Sequence, residues 1–335
     1  MIQDPNRSTC KGGFVFSLDF ELMWGVRDKR TIADYGENIL GVRQAVPRIL
    51  DMFAEHEISA TWATVGLLFF DDKDAMIAGL PTVKPDYKDI NLSAYGALSS
   101  IGENEKSDPY HFAPSLIQRI SETPGQEIGS HSFSHIYSLA TGMTNDAFKS
   151  DLDAAIAVAS TRDITLQSYV FPRNQVHSDH VEICKSAGLT VYRGTEVSKI
   201  YTPDDGGVFS QVKRAGRLTD TYLNMTGHNG FRPSVHNGAV NTPSSRFLRP
   251  YSPRLAMLEP IRVERILKAM KSCAKEGMFF HVWTHPHNFG IHLEENLAAL
   301  HAVISMAKQL NIEYDWPSYS MAEAAKIFTK RINFM

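Results

Sequence analysis

The segment Gly129-Ser130-His131-Ser132-Phe133-Ser134-His135 sets two imidazoles four residues apart. On a helical turn, side chains at i and i+4 share one face, so His131 and His135 could reach a single ion. Taken alone, the pair is equally consistent with two surface histidines on a loop.

Carboxylates stand upstream of it. Phe14-Val15-Phe16-Ser17-Leu18-Asp19-Phe20-Glu21 reads as a strand whose even positions are all large and apolar. Strand side chains alternate, so Asp19 and Glu21 share the opposite face at its C-terminal end. An edge strand with one wet face would carry such acids without cost. Four bulky apolar residues instead suit a central strand, where paired acids are costly unless they meet cations or a metal.

Two further segments carry groups able to move or hold protons. Met278 to His287 reads as a strand with Phe279, His281, Trp283 and His285 on one side, closed by Pro286. Tyr169-Val170-Phe171-Pro172-Arg173 is a short apolar strand that delivers Arg173 to a loop, where an arginine is ordinarily just solvated.

Together these segments resemble the polysaccharide deacetylase family, the group with the NodB homology domain. Glu127-Ile128-Gly129-Ser130-His131 is the most specific match, and Ile58 to Gly66 looks like the family's second strand. The resemblance runs over residues 12 to 328, with long insertions. Here Asp19-Phe20-Glu21 stands where the family usually has adjacent Asp residues, and Pro172-Arg173 reverses the common order. The family's fourth motif, an Asp with a downstream Trp, finds no counterpart.

The resemblance implies a metal-dependent deacetylase or amidohydrolase acting on non-peptide C–N bonds. His131 and His135, with Glu21 by preference or else Asp19, would hold one divalent metal. Zinc is the default, and iron, cobalt and nickel suit the same donors. Asp19 would be the general base, Arg173 would hold it charged, and His285 would be the general acid. Trp283 is weighed between shaping an acyl pocket and simple core packing. The expected reaction removes an N-acyl group, acetyl by preference, from an amino sugar used in cell-surface polysaccharide or O-antigen synthesis. The alternatives are an amidase acting on a ureide or imide, and a non-catalytic carbohydrate-binding relic of the fold.

The elements that must position these residues alternate along the chain. Helical periods span 42–56, 115–123, 146–160 (capped by Thr144 or Asn145), 178–187, 260–275, 293–310 and 320–328. Strand-like runs span 58–65, 167–171, 190–193 and 312–314. This βαβα rhythm implies a parallel sheet with covered faces, and motif residues at strand ends suit a barrel rim. With the resemblance, the expected fold is an α/β, incomplete (β/α)7 barrel with long loop insertions. It would form a single domain over residues 1–335, with insertions at about 71–112 and 199–254. The first is too long for an ordinary connection and reads as a lid or partly disordered. The second runs from Lys213 to Arg254 with seven lysines and arginines against the single acid Asp220. That excess nominates Arg246 and Arg249 to bind an anionic substrate group, a nucleotide- or lipid-phosphate. Its His228 and His236 read as ordinary loop histidines.

The chain has 335 residues, 43% hydrophobic and 21% charged, with a formal net charge of −3. That balance gives no pull toward nucleic acid. Cys10, Cys184 and Cys273 are widely spaced, which suits a reducing compartment better than a disulfide scaffold. Met1 to Lys11 has no apolar core, and no run is long enough to span a bilayer. A cytoplasmic location is expected; oligomeric state is left open.

Overall fold

The computed structural model describes residues 12–203 and 208–332. Cys10 and the polar run Met1 to Lys11 lie outside them. The strands are β1 (Phe14–Phe20), β2 (Ala60–Thr64), β3 (Gln126–Ser130), β4 (Ser168–Val170), β5 (Val191–Arg193), β6 (Ser234–His236), β7 (Ala239–Asn241), β8 (Arg246–Phe247), β9 (Phe280–Thr284) and β10 (Ser318–Tyr319). They form one curled sheet in the order β6-β7-β5-β4-β3-β2-β1-β9-β8, with β10 beside the start of β1. Every pairing is parallel except that of β6 with β7.

The chain from β7 to β8 nearly closes the curl. Thr242 N donates to Tyr192 O and Ser244 N to Gly194 O, on the β5 side. Ser245 N then donates to His281 O and Leu248 N to Trp283 O, on the β9 side. This single stretch takes the seventh strand position, so the architecture is the expected incomplete (β/α)7 barrel. Part of the segment 199–254 is therefore barrel wall rather than insertion.

β1 is central and fully buried. Phe14, Phe16, Leu18 and Phe20 pack outward under the helix Ile32–His56, where Phe16 meets Phe53 edge-on at 5.4 Å. That helix starts with a capping box, in which Thr31 and Asp34 satisfy each other's backbone N–H. The helix Asn145–Ser160 is capped by Thr144, whose side chain accepts from Ala147 N.

Two expectations are corrected. The segment 71–112 is folded rather than partly disordered, as the helix Lys73–Ala78 and the 3-10 turns Ile90–Leu92 and Ala94–Ser99. Its polar residues are caps: Asp72, Asp89 and Ser93 each accept a backbone N–H at the start of one of these. Residues 312–314 are not a strand but the last turn of the helix Leu293–Tyr314, and the pairing strand follows at Ser318–Tyr319. Among the described residues, no helix is long and apolar enough to cross a membrane. Cys184 and Cys273 are free and buried.

Candidate active site

The C-terminal ends of the strands converge on one buried polar cluster. β1 brings Asp19 and the following Glu21, which are 3% and 4% exposed. His131 follows β3, Arg193 ends β5 and His285 follows β9.

Glu21 sits at the centre. Its Oε2 lies 3.0 Å from His135 Nε2 and 3.3 Å from His131 Nε2. Glu21, His131 and His135 each offer one donor atom within 4.8 Å of the others. His131 Nδ1–H donates to Val170 O at 2.8 Å, which fixes the ring and leaves the Nε2 lone pair facing Glu21. Burial raises the Glu21 carboxyl, but His285 and the bonds to His131 and His135 outweigh it and hold the group well below the ordinary value. Burial, against the pull of Glu21, lowers His135 to about 4. Two imidazoles with a carboxylate, all buried, are a donor set that fits a divalent metal.

The two histidines reach Glu21 from a loop, not from a helical turn. Ser132 and His135 both have left-handed backbone, with φ of 63° and 54°. The buried Asp151 pins this unfavourable path by accepting from Phe133 N at 2.7 Å, Ser134 N at 3.1 Å and Ser134 Oγ at 2.6 Å.

Asp19 is held by a different arginine from the one expected. Arg193 Nη1 and Nη2 each donate to one Asp19 oxygen at 2.7 Å. Burial raises Asp19, yet the Arg193 charge, then His131, bring its carboxyl below the ordinary value. Arg173 instead pairs with Asp28 and lies 4.1 Å over the Tyr137 ring. Its backbone is left-handed, φ 55°, and its side chain lines the cleft beside the site. The neighbouring Asn174 accepts from Arg193 Nη2 at 3.0 Å.

A second layer orients Arg193. His281 Nδ1–H donates to Thr242 O at 3.0 Å, so its Nε2 accepts from Ser17 Oγ at 2.8 Å. Ser17 Oγ in turn accepts from Arg193 Nη1 at 2.9 Å. Burial lowers His281 to about 3, which keeps this relay in one tautomer. Trp283 lies beneath, its ring 4.5 Å from the Arg193 guanidinium carbon. The only sequence sign of Arg193 was an arginine ending a short apolar strand; His281 was visible on the Trp283 face but had no role.

His285 stands across from these groups, its Nε2 3.7 Å from Glu21 and 3.9 Å from Asp19. Trp283 and Asn174 open onto a cleft of about 1480 Å³. Arg246 and Arg249 line it, but not alike. Arg246 is buried and committed to Asp220, with further bonds to Tyr201 and Gly227 O. Arg265 holds the other Asp220 oxygen. Arg249 is only partly buried and has no carboxylate within 4 Å among the described residues. The expected anion site at Arg246 is therefore a fold-holding pair.

With this geometry in hand, residues 33–192, just under half of the chain, match the family model for polysaccharide deacetylases. Over that span the chain is similar to the polysaccharide deacetylase family. No curated protein sequence matches it. Among solved structures, a candidate polysaccharide deacetylase from Mycobacterium smegmatis superposes with a TM-score of 0.61 at 15% identity, over 97% of this chain and 92% of that one. A second, from Pseudomonas aeruginosa PAO1, gives 0.52 at 13% identity, over 93% and 87%. A 4-alpha-glucanotransferase from Thermococcus litoralis gives 0.54 at 11% identity, over 94% of this chain but 40% of that one. At such identities the likeness is one of fold. The match to the deacetylase model over residues 33–192 is what points toward deacetylation of a polysaccharide.

Proposed function

We propose that this chain is a metal-dependent hydrolase that removes an N-acetyl group from an amino sugar carried on a phosphate-linked intermediate of cell-surface polysaccharide assembly. The observation that carries the proposal is the buried Asp19 carboxylate, gripped at both oxygens by Arg193 and set beside the Glu21, His131 and His135 donors.

In this reading Glu21, His131 and His135 hold the metal, with zinc as the default. Such an ion, when bound, supplies Lewis acidity to the attacking water and the acyl oxygen. Asp19 takes the proton from that water. Arg193 keeps Asp19 ionised at neutral pH and fixes its direction, while the Ser17–His281 relay fixes Arg193. His285, on the far side of the cluster, gives a proton to the departing nitrogen. Trp283 forms the floor of the acyl pocket as well as the support of Arg193.

The phosphate reading rests on the cleft. Lys29, Arg173, Arg214, Arg217 and Arg249 line it. Burial, then Arg173, and also Arg214, lower Lys29, whereas Asp28 acts the other way. A crowd of cations that repel one another is relieved by an anion.

Acetate release is the test. A nucleoside diphosphate-linked N-acetylhexosamine should be turned over faster than the free sugar or a neutral ureide. Turnover of the ureide alone, with ammonia release, would replace the proposal by an imide or ureide amidase. No turnover of any substrate by metal-loaded protein would favour a binding relic.

A further inference from the structure

The centre contains a second set of donors, and the proposed mechanism leaves one of them, His287, unused. Glu21 Oε2 faces His131 and His135, while Glu21 Oε1 faces another imidazole pair, His285 Nε2 at 3.7 Å and His287 Nδ1 at 3.9 Å. Glu21, His285 and His287 offer three ligand atoms within 4.8 Å of one another. Donors each about 2.0–2.2 Å from one ion lie about 3–4 Å apart, so both sides of Glu21 have the right spacing.

His287 makes the second set more than coincidence. It is 5% exposed, and its Nδ1 is buried with no hydrogen-bond partner. The ring cannot easily turn away. It stacks on His285 at 4.8 Å and 19°, and meets Tyr35 edge-on at 5.6 Å. An Nδ1–H would be expected to close on Glu21 as a hydrogen bond, but 3.9 Å is too long for one. A bare Nδ1 would set its lone pair against the carboxylate. With the proton on Nε2, a cation between Nδ1 and the carboxylate removes that conflict.

We propose that Glu21, His285 and His287 form a second divalent-cation site, sharing the Glu21 carboxylate with the first, whose occupation is inhibitory. The proposal rests on reading Glu21, His131 and His135 as the first site. The second site binds more weakly, because the first ion already neutralises Glu21 and repels another cation about one carboxylate away. His285 is also its most exposed ligand, at 21% of its side chain. An ion on His285 Nε2 occupies the nitrogen that would carry the proton for the leaving group.

Equilibrium dialysis of the full chain against zinc, read by elemental analysis, tests this. Wild type should bind two ions per chain, the second at least tenfold more weakly. His287→Gln and His287→Phe should each bind one, with the first affinity kept. Loaded with manganese, wild type should give the spin-coupled resonance of an ion pair and both variants that of isolated ions. Activity of wild type should rise with the first equivalent and fall with the second; the falling limb should vanish in the variants. Saturation of wild type at one ion, or two ions in a folded His287 variant, overturns the second site and leaves the first intact. No bound ion in wild type overturns both readings. Wild-type stoichiometry decides even if neither variant folds.

Discussion

Arg193 meets Asp19 with two parallel bonds of 2.7 Å, one to each carboxylate oxygen, in a pocket where neither side chain touches solvent appreciably. Such a fork is something only a planar guanidinium can form. Arg193→Lys should therefore lower kcat by about 100-fold or more, the scale of a misdirected general base. Arg173→Lys, paired with Asp28 rather than Asp19, should change kcat by less than about tenfold. Steady-state kinetics on the two purified variants checks this. Equal losses would mean that Arg193 only supports the fold.

Gly25 is needed for Glu21 to stand where it does. A Cβ added at Gly25 would lie 1.9 Å from Glu21 Cδ. Glu21 is buried and cornered by imidazoles, so it cannot yield without leaving His131 and His135. Gly25→Ala should weaken metal binding about 10–100-fold, the usual scale for disturbing the support of a ligand. Competition against a chelating dye measures it; unchanged affinity would show that Glu21 is not a ligand.

Two arginines of the basic segment should separate cleanly. Arg246→Ala strips a buried partner from Asp220, and Arg265 softens the loss, so destabilisation should fall at the lower end of ~3–5 kcal/mol. Arg249→Ala should cost less than about 1 kcal/mol. It should instead raise KM for a phosphate-linked amino sugar about tenfold, with the free sugar unaffected, from one lost charged contact. Denaturation curves and paired KM values distinguish the two.

His180 gives a pH signature remote from the site. Its ring stacks on Phe148 at 3.9 Å and 12°, and its Nδ1 has no partner. Burial, then His177, lower it to about 4, against 6.5 for an ordinary histidine. The unfolded chain thus binds a proton that the folded chain refuses between pH 6.5 and 4. Stability from this group is lost as pH falls through that window, by at most about 1.4 kcal/mol per unit. His180→Phe should gain on wild type between pH 7 and pH 5 in urea midpoints. An equal gap at both values would mean the ring protonates in place.

What could be read from the sequence was local. Alternation running through the end of β1 put Asp19 and Glu21 on one face, and the same rule put Trp283 and His285 together at the end of β9. His131 and His135 were legible as a pair, though a helical turn was the wrong reason: left-handed Ser132 and His135 bring them together, a path that spacing does not encode. Arg193 was missed because β5 has three residues and no period to read, and its partner lies 174 positions away. Pro172-Arg173 attracted the role on motif grounds, while Arg173 pairs with Asp28 instead. Residues 312–314 have strand-like composition, but burial at Leu300, Val303, Ala307 and Leu310 carries the helical period to their edge.

The division of labour between the two acids of β1 is the centre of the account. Metal content and acetate release should be measured side by side on wild type, Asp19→Asn and Glu21→Gln. Asp19→Asn should keep its ion and lose turnover, because it removes the base and leaves the donors; Glu21→Gln should lose the ion and with it the activity. Loss of the ion in Asp19→Asn with retention in Glu21→Gln would contradict the assignment and exchange the two roles.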